Sequence, residues 1–74
     1  MADIKYTIVE TLIVFPETGK WHKELNLIEW GGLKAKYDLR AWNKDRSEMK
    51  KGITLSAEEF TILKEKIGGI EVCL

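Results

Sequence analysis

The segment between Ala35 and Ile67 constrains the fold of this chain more than any other. Its first part, Ala35 to Trp42, alternates strictly between two kinds of side chain, which is the period of a β-strand with two different faces. One set is Tyr37, Leu39 and Ala41, and the other is Lys36, Asp38, Arg40 and Trp42. A polar loop at 43–51 separates this strand from a second, short strand predicted at Gly52–Leu55.

A helix is predicted to begin immediately after the short strand. Ser56 is a good N-cap residue, and Glu59 three positions later completes a capping box. Phe60, Leu63 and Ile67 form one apolar stripe, which we expect to pack on the sheet. The pair at 68–69 is Gly-Gly, which typically ends a helix.

Two longer strands are predicted before this segment. Ile4 to Phe15 is rich in β-branched and aromatic residues and is largely apolar on both faces, so we expect the helix to cover one face and another subunit the other. Trp21 to Trp30 is the second strand, bounded by turn residues at 16–19 and 31–32. The sequence therefore predicts an α+β fold: a curved four-stranded antiparallel sheet followed by a C-terminal helix, β-β-β-β-α.

The length of the chain predicts one domain, 1–74, that needs a partner surface. Cys73 is the only cysteine and His22 the only histidine, so we expect neither an internal disulfide nor a zinc site to stabilise the fold. Oligomerisation remains, and we expect a homodimer. No cofactor and no metal are expected.

Charge is distributed unevenly although the net charge is zero. Residues 20–51 hold nine Lys/Arg and five Asp/Glu, whereas the flanks 1–19 and 52–74 are each acidic by two charges. A basic middle between acidic flanks indicates one positive face, although ordinary solvated charge explains it equally well. With no export signal and no apolar run of membrane-spanning length, we expect a cytoplasmic protein without membrane contact.

The candidate functional residues indicate binding and not catalysis. His22 has no nucleophile beside it, and nothing near Cys73 would lower its pKa, so no enzyme is expected. An exposed Trp42 beside Arg40 and Lys36 would offer an indole to bases and cations to phosphates. The alternative is that Trp42 packs under a loop or in a subunit interface.

Other tryptophans and lysines leave similar alternatives open. Trp30, at a strand end beside two glycines, is either a stacking platform or a core anchor. Trp21 is the weakest candidate of the three tryptophans, as likely to be in the core as on the surface. Lys50 and Lys51 are either solvated loop charges or phosphate contacts at the sheet edge.

The ordered set of motifs resembles a known family. The pieces are Asp38-Leu39-Arg40 followed by an aromatic, the run from Met49 to Leu55, and the helix that begins Ser56-Ala57-Glu58-Glu59-Phe60. This order resembles the single-stranded DNA-binding domain of the transcriptional coactivator positive cofactor four, and most of all its bacterial YdbC-like branch. The resemblance implies a homodimer with paired helices and a groove for single-stranded DNA.

The resemblance also implies which residues bind. The implied nucleic-acid contacts are Lys23, Trp30, Lys34, Lys36, Arg40, Trp42, Lys50 and Lys51. It implies sequence-independent binding of single-stranded DNA at the nucleoid, in transcription regulation or in replication and repair. Single-stranded RNA, the transcription machinery, or a protein docked on the same aromatic face are the alternative partners.

Overall fold

A computed structural model describes residues 5–73 and shows the predicted order of elements. Four strands are followed by one helix: β1 Tyr6–Val14, β2 Trp21–Trp30, β3 Lys36–Asn43, β4 Ile53–Leu55 and α1 Ala57–Ile67. The α+β architecture with a β-β-β-β-α order is therefore confirmed. The bounds of β2 are as predicted, and those of β3 lie one residue later at each end.

The sheet is an antiparallel meander in which each strand pairs with its neighbour in sequence, in the order β1-β2-β3-β4. Residues opposite one another in β2 and β3 share a face, which defines two faces of the sheet. We call one the inner face: His22, Glu24, Asn26, Ile28, Trp30, Lys36, Asp38, Arg40 and Trp42. We call the other the helix face: Trp21, Lys23, Leu25, Leu27, Tyr37, Leu39 and Ala41.

The sheet curves strongly around its inner face. Tyr6 pairs with Trp30 at one end of β2, whereas Trp42 pairs with His22 near the other end. The eight-residue separation along β2 corresponds to about 27 Å in a strand. The rings of Tyr6 and Trp42 are nevertheless only 5.8 Å apart between centroids. The inner face therefore folds back on itself, which confirms the predicted curvature.

Strand β1 differs from the prediction in its faces. Its register against β2 shifts between Ile8 and Glu10 and again between Thr11 and Ile13, so the side chains do not alternate cleanly. Only Tyr6 and Ile8 are half-buried, and the rest of β1 is exposed. The helix contacts β3 and β4 but not β1, so the expectation that α1 covers this strand is wrong. The predicted start at Ile4 lies outside the described residues.

Helix α1 begins as predicted but buries less than predicted. Ser56 Oγ accepts a hydrogen bond from the Glu59 backbone, and the Glu59 carboxylate accepts one from the Ser56 backbone, which completes the capping box. Phe60 stacks on Tyr37 with centroids 3.9 Å apart. Leu63 and Ile67 are 42 % and 54 % exposed. The apolar stripe therefore packs on the sheet only at its first position.

A buried polar cluster holds the inner face together. The Glu24 carboxylate, 2 % exposed, receives hydrogen bonds from Arg46 Nη2 at 2.7 Å and Asn26 Nδ2 at 3.1 Å, and lies 2.5 Å from His22 Nε2. Arg46 Nη2 also donates to Thr11 Oγ1 at 2.8 Å. The cluster thus joins the loop after β3 to both β1 and β2.

Within residues 5–73, no helix combines the length and apolar character that crossing a membrane requires.

Candidate nucleic-acid interface

A groove opens on the inner face beside the turn between β2 and β3. It has a volume of about 310 Å³ and is lined by Trp30, Leu33, Lys34, Lys36, Arg40 and Thr54. We call it the Trp30 groove. Trp30 is half-buried, and the two lysines are exposed. Four of the eight predicted contacts therefore lie together around one indole.

The turn that carries this groove depends on two glycines. Gly31 and Gly32 have φ angles of 54° and 79°, a region that favours glycine. The Leu33 backbone then donates to the Trp30 carbonyl at 2.9 Å, which closes the turn. The chain therefore reverses directly after Trp30 and returns Lys34 and Lys36 to the same groove.

Arg40 occupies one side of the Trp30 indole. Its guanidinium carbon is 4.6 Å from the ring centroid, which is a cation–π contact. Arg40 also forms a bidentate pair with the fully buried carboxylate of Asp38. Its Nε donates to Oδ1 at 2.7 Å and its Nη2 donates to Oδ2 at 2.6 Å. Nη1 makes only long contacts, 3.4 Å to the Lys50 carbonyl and 3.5 Å to Met49 Sδ. Arg40 therefore positions Trp30 and has one donor to spare for a ligand.

The expectation that the Trp42 side chain is exposed is wrong. Trp42 lies on the same face as Arg40, as the strand period predicts, but its exposure is 0 %. The curvature of the sheet brings Tyr6 against it, and Met49 pairs with it across an isolated bridge. In this conformation the indole cannot stack on a base, and it belongs to the core, which agrees with the alternative that it packs beneath other parts of the chain.

The remaining predicted contacts surround a second groove. It has a volume of about 750 Å³, and Lys23, Lys50 and Lys51 line it together with Arg40. We call it the Trp21 groove after the larger of the two hydrophobic aromatic side chains that line it, Trp21 and Phe15. Lys23 and Trp21 belong to the helix face, so the predicted contacts fall into two groups on opposite sides of the sheet, and Arg40 lines both grooves.

A close approach holds the lysine pair against β3. The Lys50 backbone donates to the Ala41 carbonyl at 3.0 Å. A side chain at Gly52 would place its Cβ 2.3 Å from Arg40 Cβ and 2.4 Å from the Leu39 carbonyl oxygen, so only glycine fits there. Because Gly52 packs so closely on β3, Lys50 and Lys51 are kept at the edge of the sheet next to Arg40.

An open, curved sheet that presents a half-buried indole between a guanidinium and two lysines has the architecture of a small nucleic-acid-binding domain. Residues 18–66 match the family model described as Transcriptional Coactivator p15 (PC4). The chain belongs to this family, which is DNA-binding and not enzymatic. The resemblance inferred from the motifs is thereby confirmed.

A bacterial relative supports the same assignment. The chain is 34 % identical over 71 residues to a protein of Treponema pallidum (strain Nichols) described as an uncharacterized protein. The matched region covers 95 % of this chain and 84 % of the relative. This similarity is consistent with the bacterial branch of the family that the motifs indicate.

Proposed function

We propose that the protein is a homodimer that binds single-stranded DNA with little sequence preference. The observation that carries this proposal is the Trp30 groove, in which an indole backed by Arg40 faces a cavity bordered by Lys34 and Lys36. Its place of action would be the cytoplasm, at the nucleoid, and the family description favours transcription as the process.

Base stacking and phosphate contacts would both contribute to binding in this groove. A base that stacks on Trp30 would contribute roughly 1–3 kcal/mol, whatever its identity, because every base has a flat π-face. Lys34 and Lys36 would contact phosphates, which position the strand without reading its sequence. Arg40 would keep the indole in place through its bidentate pair with Asp38 and offer Nη1 to a phosphate.

A duplex does not suit this surface. Bases in a duplex are already stacked on one another and cannot reach an indole inside a groove. The only helix in the described part of the chain follows β4 and stacks Phe60 on Tyr37, so the N-terminal turn that would enter a major groove is held at the sheet. We therefore expect single strands to bind much more tightly than duplexes.

The exposed apolar side chains of α1 support the homodimer. Within one chain no residue of the helix is buried. Ile62, Leu63 and Ile67 are between 42 % and 54 % exposed, so the helix presents apolar side chains on more than one side. Covering such a surface with a second copy of the helix would supply the stability that a chain of this length needs.

One titration series tests the proposed binding. Fluorescence anisotropy would compare a labelled single strand of DNA, its duplex, and RNA of the same sequence over a range of salt concentrations. We expect the single strand to bind best, with a log–log salt slope of about −0.7 for each phosphate contacted. Equal affinity for duplex and single strand would refute the proposal, and tighter binding of RNA would reassign the ligand.

Matched variants link the binding to the groove. Trp30→Ala should weaken binding by roughly 1–3 kcal/mol, and Trp30→Phe, which keeps a stacking ring, should weaken it less. Lys36→Ala should make the salt slope shallower by about 0.7. The control is Lys66→Ala, since Lys66 lies on α1 and borders neither groove. Equal effects of the two lysine variants would mean that bulk charge, and not the groove, binds the strand.

A further inference from the structure

We propose that Trp21 is a second base-stacking platform and that the Trp21 groove binds a continuation of the strand held in the Trp30 groove. This inference rests on the proposed single-strand binding and extends it to the other side of the sheet. Trp21 is the tryptophan about which the sequence is least informative, and neither the motifs nor the family assignment gives it a role.

The surroundings of Trp21 resemble those of Trp30. The Trp21 side chain is half-buried, so part of the ring is accessible. Two ammonium groups lie close to the ring, Lys50 Nζ at 4.8 Å and Lys20 Nζ at 5.3 Å from its centroid. These lysines have long flexible side chains, so a base can replace an ammonium on the indole while the displaced ammonium moves to the adjacent phosphate.

The charge of the Trp21 groove selects an anionic occupant. Lys23, Lys50, Lys51 and Arg40 line it, and none of the described residues that line it is Asp or Glu. The charge of Arg40 is balanced by the buried Asp38 at 2.6 Å, so the net positive charge of the lining comes from Lys23, Lys50 and Lys51. A ligand that brings both phosphates and flat rings satisfies the cations and the indole together, and a single-stranded nucleic acid is such a ligand.

The two grooves are placed so that one strand can occupy both. Arg40 lines both of them, and Gly52 packs against Arg40 without a side chain, which keeps Lys51 at the boundary. Trp21 and Trp30 are the first and last residues of β2 and lie on opposite faces of the sheet, so the two platforms are separate. A short oligonucleotide therefore reaches one platform, and a longer one reaches both.

Tryptophan fluorescence tests this inference in a variant that keeps Trp21, with a second variant that lacks it as the control. Trp30→Phe leaves Trp21 and the fully buried Trp42 as the only indoles. A long single strand should still quench this variant, and the double variant Trp21→Phe/Trp30→Phe, which retains only Trp42, should show no quenching. Absence of quenching in Trp30→Phe at a saturating strand concentration would overturn the inference.

Affinity as a function of length supplies the second measurement. Trp21→Ala should bind a strand of about sixteen nucleotides roughly tenfold more weakly, and a strand of about four nucleotides as tightly as the wild type does. Trp21→Phe should restore most of the loss, and thermal melts should show that both variants fold. A polyglutamate that quenches Trp30→Phe as well as DNA does would overturn the inference, because the groove would then be a general anion site.

The outcomes separate this inference from the proposed function. If the wild type fails to bind any single strand, the proposed function itself is wrong. If Trp30→Ala weakens binding while Trp21→Ala leaves every length unaffected, the proposed function stands and the second platform does not exist.

Discussion

Replacing the buried Trp42 with alanine should destabilise the fold without acting through the binding groove. An aromatic side chain buries about 150–250 Å², which at about 25 cal/mol per Å² corresponds to roughly 4–6 kcal/mol. Trp42 is fully buried and contacts Tyr6, so we expect Trp42→Ala to cost about 4 kcal/mol after allowing for the remaining methyl group. A domain of this length has a total stability of roughly 4–11 kcal/mol, so the variant would lose a large share of it.

Urea unfolding at a fixed protein concentration measures this loss, since the stability of the proposed homodimer would depend on concentration. The control is Trp42→Phe. Among the described residues Trp42 Nε1 has no hydrogen-bond partner, so phenylalanine removes an unpaired buried donor along with part of the ring, and we expect it to cost clearly less than alanine. A Trp42→Ala variant that keeps its stability but loses DNA affinity would refute the burial argument and restore Trp42 as a stacking residue.

Burial raises the pKa of Glu24, but the hydrogen bonds from Arg46, His22 and Asn26 outweigh burial and leave that pKa below its ordinary value of 4.5. The ionised carboxylate therefore contributes stability that is fully present above pH 4.5 and is lost as the pH falls through the lower folded-state pKa. Glu24→Gln should lower the free energy of unfolding by about 1–3 kcal/mol at pH 7 and reduce its loss at acid pH, as measured by urea unfolding. A variant whose stability depends on pH as the wild type's does would contradict this prediction. Ser56→Ala should lower the unfolding free energy by about 1 kcal/mol through loss of the cap, whereas Ser56→Asp should remain close to the wild type, and equal losses would argue against the capping box. Ile67→Glu should shift the mass measured by light scattering from that of the proposed dimer to that of a monomer while the β-sheet circular dichroism persists, and a persistent dimer would exclude α1 from the interface.

Local chemistry accounts for the elements that the sequence predicts well. The capping box of Ser56 and Glu59 acts between residues three apart, and the alternation in β3 reflects only the period of a strand. Both signals are complete within a short window, so both appear in the structure. They also placed Arg40 and Trp42 on one face, which the register of β2 against β3 confirms.

Burial and sidedness depend on longer-range geometry that these windows do not contain. The exposure of Trp42 is decided by the curvature that brings Tyr6 over it, and the two register shifts in β1 have no signature in its largely apolar sequence. Lys23 and Trp30 are an odd number of positions apart in β2, so their side chains point to opposite faces of the sheet. This spacing predicts that the proposed contacts lie on two faces. Because Trp21 and Lys23 are two positions apart in β2, the strand period alone would have placed both side chains on the same face.

The meander order of the sheet has a consequence for how the chain acquires its structure. Each strand after β1 pairs with the strand before it, and the helix contacts only the two strands that precede it most closely. Loop closure between such near neighbours has a small entropic cost, so the pairing of successive strands is favoured early in folding. Pairing can proceed in order from the amino terminus during synthesis, before the helix has emerged. Since α1 arrives last and buries little within its own chain, completion of the monomer leaves its apolar side chains available for encounter with a second molecule.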